Sequence, residues 1–132
     1  MSSSSFKIIN ASAGSGKTTS LVYHFLLRLF LESDDIGYRN MLALTFTNKA
    51  VNEMKKKILE GLYNLGNKDQ SDQTKRLEKN LLDNLSINSN QLRDRSQRIL
   101  KNILHEYAAF EVITLDSFTN KIIRNFSREL NF

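Results

Sequence analysis

Residues Ala11 to Thr19 read ASAGSGKTT, and their types and spacing suit one task, gripping phosphate. Gly14 and Gly16 reach backbone angles closed to other residues, so consecutive N–H groups can curl around phosphate oxygens. Ser12, Ala13, Gly14, Ser15 and Gly16 supply those N–H groups, with Ala11 and Thr19 at the two ends of the loop. Lys17 is spaced to reach the β and γ phosphates of a nucleotide, and the Thr18 hydroxyl to ligate a magnesium ion. The general pattern has glycine six residues before the lysine, where this chain has Ala11. The plainer alternative is a Gly/Ser turn leading into a helix. His24 and His105 have no ligand partners at useful spacing and read as structural.

The flanks are those a phosphate loop needs. Phe6 to Ile9 is a short apolar run that predicts a buried strand. Leu21, Val22, Phe25, Leu26, Leu29 and Phe30 recur at helical spacing, so the loop opens a helix whose unpaired N–H groups and dipole face the anion. A polar loop follows over Glu32 to Asn40, then a second strand, Met41 to Phe46, apolar enough to be buried on both faces. Thr47 or Asn48 is placed to cap a helix carrying Val51, Met54, Ile58 and Leu62, which should fray or end at Gly61 or Gly66. Two amphipathic helical patterns follow a polar connection over Asn67 to Gln73, the second with Ser89 or Asn90 as cap. Phe110 to Leu115 reads as a third strand. Asp116 or Ser117 is placed to cap a last helix with Phe118, Ile122, Ile123 and Phe126 on its inner face. Strands alternating with helices predict an α/β fold with a parallel sheet, and three strands leave it incomplete.

At 132 residues the chain is one domain at most, or part of one. A net charge of +5 and a pI near 9.6 favour an anionic partner. The absence of cysteine excludes disulfides and thiolate metal sites and fits a cytoplasmic protein. No signal peptide is legible in MSSSSFKIIN. The longest apolar run, Leu21 to Leu31, is broken by His24 and Arg28 and is too short to span a bilayer, so no membrane association is expected.

Leu42 to Met54, LALTFTNKAVNEM, resembles the segment that follows the phosphate loop in UvrD-like superfamily-one DNA helicases. The loop form with alanine at position 11 is also typical of that family. Val112 to Arg124, VITLDSFTNKIIR, resembles its next DNA-contacting segment. The lead-in Ile9 to Gly14, the long helical insertion over about 66–110 and the tail Phe126 to Leu130 are similar to the RecB/AddA-like helicase–nuclease branch. The resemblance implies a P-loop NTPase (RecA-like) three-layer sandwich, of which residues 1–132 would be the N-terminal part of the first ATP-binding domain. It also implies ATP and Mg2+ as cofactors, with Lys17 as the catalytic lysine. Thr45, Phe46, Thr47, Asn48 and Lys49 would lie against single-stranded DNA, joined by Thr114, Ser117 and Phe118. Asp116 stands where the family has histidine, so its carboxylate should face away from a DNA phosphate or cap the helix at Ser117–Thr119.

On this reading the partners are single-stranded DNA or DNA ends and a second protein of the helicase–nuclease, and the process is repair or recombination. No strand here ends in an Asp-Glu pair, so the segment alone is expected to bind nucleotide weakly at best and not to hydrolyse it. Lys55-Lys56-Lys57 and the stripe of Lys121, Arg124 and Arg128 read first as solvated helix faces. Two other readings stand beside the helicase. One is a P-loop kinase or regulatory nucleotide-binding module that does not act on DNA. The other is an interaction protein with a helicase-like start and no catalysis.

Overall fold

In the computed structural model, the backbone is described for residues 7–10 and 15–130, and side chains from residue 19 to 130. Three strands, β1 (Lys7–Asn10), β2 (Met41–Thr45) and β3 (Glu111–Thr114), form a parallel sheet in the order β1-β2-β3. Asn10 pairs with Leu44, and Thr45 with Thr114. The parallel sheet expected from the alternating pattern is present.

Helix α1 (Ser15–Leu31) joins β1 to β2, with a short 3-10 turn at Gly37–Asn40 inside the segment expected to be loop. Three helices fill the connection from β2 to β3: α2 (Asn48–Gly66), α3 (Asp72–Asp83) and α4 (Ser89–His105). Helix α5 (Leu115–Glu129) follows β3 directly. Every residue of β2 is buried, as its unbroken apolar run requires. Met41, Ala43 and Val112 share one core with Phe25, Leu26 and Leu29 of α1, Met54, Ile58 and Leu62 of α2, and Ile99 and Ile103 of α4. Both crossovers therefore stack on one face of the sheet, the result expected when right-handed connections step repeatedly in one direction. The opposite face carries Leu42 and Leu44, opposite Glu111 and Ile113 in register.

Four local expectations need correction. Helix α2 does not fray at Gly61 but runs to Gly66, because Gly61 lets the Leu26 side chain approach, and an added Cβ would sit 3.1 Å from Leu26 Cδ1. Asn88, not Ser89 or Asn90, caps α4. Its side chain accepts from Gln91 N–H (2.8 Å) while Gln91 Oε1 accepts from Asn88 N–H (2.9 Å), a reciprocal pair the other two residues cannot make. Thr114, not Asp116 or Ser117, caps α5, since the helix begins one residue past the strand. The apolar stripe on α5 faces outward: Ile122, Ile123 and Phe126 are exposed, and no described segment packs over them.

Two polar clamps hold the long crossover against the strand entries. The Arg39 guanidinium grips Glu106 through two hydrogen bonds of 2.6 Å, and the buried Tyr38 hydroxyl donates to the same carboxylate. Arg39 lies just before β2 and Glu106 shortly before β3, so this clamp ties the amino ends of the two strands. Arg95 of α4 donates to the carbonyls of Phe30 (2.8 Å), Glu32 (3.0 Å) and Asp34 (2.6 Å) and to Asp35 Oδ1 (3.0 Å). Those carbonyls are at or just past the end of α1, where helical acceptors lack partners. Arg98 adds a second bond to Asp35 (2.7 Å).

Candidate nucleotide and nucleic-acid interface

Among the described residues, the segments singled out by sequence leave the sheet at its carboxyl edge. The three strands end beside one another at Asn10, Thr45 and Thr114, and each chain then turns into a helix: α1 at Ser15, α2 at Asn48, α5 at Leu115. Ligands of open α/β sheets bind in the crevice outside the carboxyl ends of the strands. Three helix N-termini at one edge also present unpaired N–H groups and positive dipole ends. Neither α1 nor α2 has a carboxylate in its first turn to offset that charge, whereas α5 has Asp116.

Ala11, Ser12, Ala13 and Gly14 lie outside the described residues. Ser15, Gly16, Lys17 and Thr18 form the opening of α1, and Thr19 is exposed in its first turn. Strand, short connection and helix N-terminus thus stand in the order a phosphate loop requires.

The second segment is fully described. Thr45 is buried at 3% exposure and its hydroxyl donates to the Thr47 carbonyl (3.3 Å), so it braces the turn from inside. Phe46 then breaks the apolar rule: at 51% exposure it is a large ring at a strand end, open to solvent. Thr47 caps α2 by accepting from Ala50 N–H (3.0 Å). Asn48 and Lys49 are exposed in the first turn of α2. What this edge offers a ligand from β2 is an aromatic face, an amide and a cation, held in place by two threonines.

The third segment is built alike. Thr114 is buried and accepts from Ser117 N–H (3.2 Å) while donating to Ser117 Oγ (2.9 Å). Ser117 is exposed, Phe118 half-buried, and Asp116 exposed and outside the cap. Lys121 is paired with Glu111 (2.8 Å), which takes it out of the basic stripe; Arg124 and Arg128 remain exposed.

The strongly perturbed ionisable groups lie elsewhere. Glu106 is held down at about 2, first by its hydrogen bond from Arg39 and then by that from Tyr38. The Tyr38 hydroxyl is pushed up to about 12, by burial first and then by Glu106. Both belong to the clamp at the amino ends of the strands, so their shifts mark structure and not chemistry. Among the described residues no group of histidines and carboxylates is placed to hold a metal ion. No described helix is long and apolar enough to cross a membrane.

Sequence reading passes over Tyr63, and the helical spacing that joins Leu104 and Tyr107 to Leu92, Ile99, Leu100 and Ile103 predicts one apolar face, which needs correction. Tyr63, Leu104 and Tyr107 lie outside the core although their spacing resembles that of core positions.

A family model described as the UvrD/REP helicase N-terminal domain matches residues 2–132. The chain is 38% identical over 58 residues to an ATP-dependent helicase/nuclease subunit from Clostridium kluyveri, a stretch covering 44% of this chain and 5% of that protein. It is 34% identical over 82 residues to proteins of the same description from Bacillus cytotoxicus and Bacillus cereus, covering 62% of this chain and 7% of each relative. The matched stretch is therefore a small part of those relatives' length. No solved structure matches.

Proposed function

Because this chain belongs to the UvrD/REP helicase N-terminal domain family, we propose that it is the ATP-binding front of a DNA helicase of the helicase–nuclease type. The whole protein would move along single-stranded DNA in repair or recombination, in the cytoplasm, beside a second protein of the helicase–nuclease. One observation carries this reading. Strands β2 and β3 end side by side at Thr45 and Thr114, which brings the half-exposed Phe46 and the two helicase-like segments to one edge with the opening of α1.

The division of labour follows from chemistry. Ala11 to Thr19 would hold the nucleotide, with Lys17 against the β and γ phosphates and Thr18 toward Mg2+. When bound, ATP supplies the free energy of phosphate transfer to water. Phe46 would stack on a base, a contact indifferent to sequence and so suited to a moving track. Thr47, Asn48, Ser117 and Phe118 would meet phosphate or sugar, and Lys49 would add a screened charge. Thr45 and Thr114 would act on the track by fixing the two turns. The nucleotide and the strand then share one edge, so a change in phosphate occupancy at α1 can reach the track through β2. This edge would belong to a RecA-like three-layer sandwich, and the hydrolytic carboxylates and arginines would come from other parts of the full-length protein.

The test is binding of labelled oligo-dT and of ATP·Mg2+ by the full-length protein. Phe46→Ala is expected to weaken oligo-dT binding about tenfold, and Lys17→Ala to abolish ATP-dependent movement while leaving oligo-dT bound. Nucleotide binding with no affinity for oligo-dT at low salt would shift the reading to a P-loop kinase or regulatory module.

A further inference from the structure

We propose that the outer seam between α2 and α4 is a second contact surface for single-stranded DNA, continuing the track from Phe46 along α2. The inference rests on the helicase reading above. Two contacts fix how the helices lie. The Lys55 ammonium sits 4.8 Å from the centre of the Tyr107 ring, and the Gln97 amide donates to the Gly66 carbonyl (2.6 Å). Residue 55 thus faces 107 and residue 66 faces 97, so the helices run antiparallel. Between these points lie Leu59 and Tyr63 of α2, at i+4 and i+8 from Lys55, facing Leu100 and Leu104 of α4, at i+3 and i+7 from Gln97.

The seam closes below and stays open above. Leu59 and Leu100 are half-buried, while Tyr63 is 60%, Leu104 57% and Tyr107 43% exposed. Tyr63 offers a stacking face beside the Tyr107 ring that Lys55 covers, on a surface flanked by Lys56 and Lys101. None of these lysines forms an ion pair among the described residues. Exposed aromatics interleaved with uncompensated cations are what a sequence-tolerant single-strand surface needs. A protein partner of apolar character would leave those charges buried without counter-charges, at a cost. Position points the same way. Helix α2 begins two residues after Phe46, and a rise of about 1.5 Å per residue puts Tyr63 roughly 24 Å along it. The seam therefore lies along the helix that Phe46 leads into, with Lys55 and Tyr107 nearer that end than Tyr63.

The experiment measures affinity of the full-length protein for oligo-dT of about 5 and about 20 nucleotides, lengths bracketing one and several contact sites. Tyr63→Ala should weaken the long oligonucleotide about tenfold and leave the short one unchanged, and Tyr63→Phe should restore the loss. Lys101→Gln, far from the packed core, should lower the slope of log affinity against log salt by about 0.7 for the long strand only. Phe46→Ala should weaken both lengths. If Tyr63→Ala and Lys101→Gln change nothing while Phe46→Ala still weakens both, the seam is not a DNA surface and this proposal falls, with the helicase reading intact. If Phe46→Ala has no effect but Tyr63→Ala does, the seam holds and the track assignment falls. Absence of oligo-dT binding at low salt overturns both.

Discussion

At the scale of single residues, the groups that shape this chain most are polar ones far apart in sequence. Arg95 is 13% exposed and satisfies three carbonyls at or just past the end of α1 as well as Asp35. Arg95→Ala strands those acceptors and the half-buried carboxylate, and is expected to cost about 2–4 kcal/mol in urea unfolding. Arg95→Lys should recover less than half, because an ammonium cannot reproduce the planar fork. The clamp at Glu106 predicts a pH dependence at both ends. Its folded pKa of about 2 lies below the ordinary 4.5, so its contribution is present above about 4.5 and lost as pH falls toward 2. Tyr38, at about 12 against an ordinary 10, favours the folded state below pH 10 and loses that effect as pH rises through 12. Urea midpoints against pH should show both limbs, and Glu106→Gln should flatten the acid one. None of these pairs was legible in the sequence, since Arg95 and Asp35 stand 60 residues apart. Phe46 was legible only through resemblance, because an aromatic ending an apolar run is ordinarily core.

At the scale of elements, the sequence located the three strands and five α-helices of the described residues, and failed mainly at their ends. Asn88 to Asn90 offers three cap-forming side chains in a row, and propensity alone does not rank them. Spacing could have done so: Asn88 stands three residues before Gln91, the signature of a reciprocal cap. Asn88→Ala should cost about 1 kcal/mol, read as a lower urea midpoint with unchanged m-value. Thr114 was hidden differently, as it belongs both to a strand and to the cap of the next helix. Packing between helices supplies a further test. A Cβ at Gly66 would stand 2.9 Å from Gln97 Cγ, so Gly66→Val should force α2 and α4 apart. A loss of about 1–3 kcal/mol is expected, larger than for Gly→Val at an exposed helix end.

At the scale of the whole molecule, the helical periodicity of α5 correctly announced an amphipathic helix but carried no information about what lies against it. Leu115, Ile122, Ile123, Phe126 and Leu130 are all exposed on this one helix and its end. Replacing Ile123 and Phe126 by glutamine in this chain should leave thermal stability within about 0.5 kcal/mol while raising the concentration at which light scattering detects association. The order β1-β2-β3 bears on how the molecule is made. Residues 46–110 separate the paired strands β2 and β3, so their ladder closes a long loop. The antiparallel α2–α4 packing is joined through far fewer residues, and low contact order favours early formation. The edge where Thr45 meets Thr114 is expected to assemble after that helical packing, and amides of β3 should exchange with solvent faster than those of α2 and α4. A binding edge completed late is also one whose opening demands the least unfolding, which leaves room for adjustment where the chain meets its ligands.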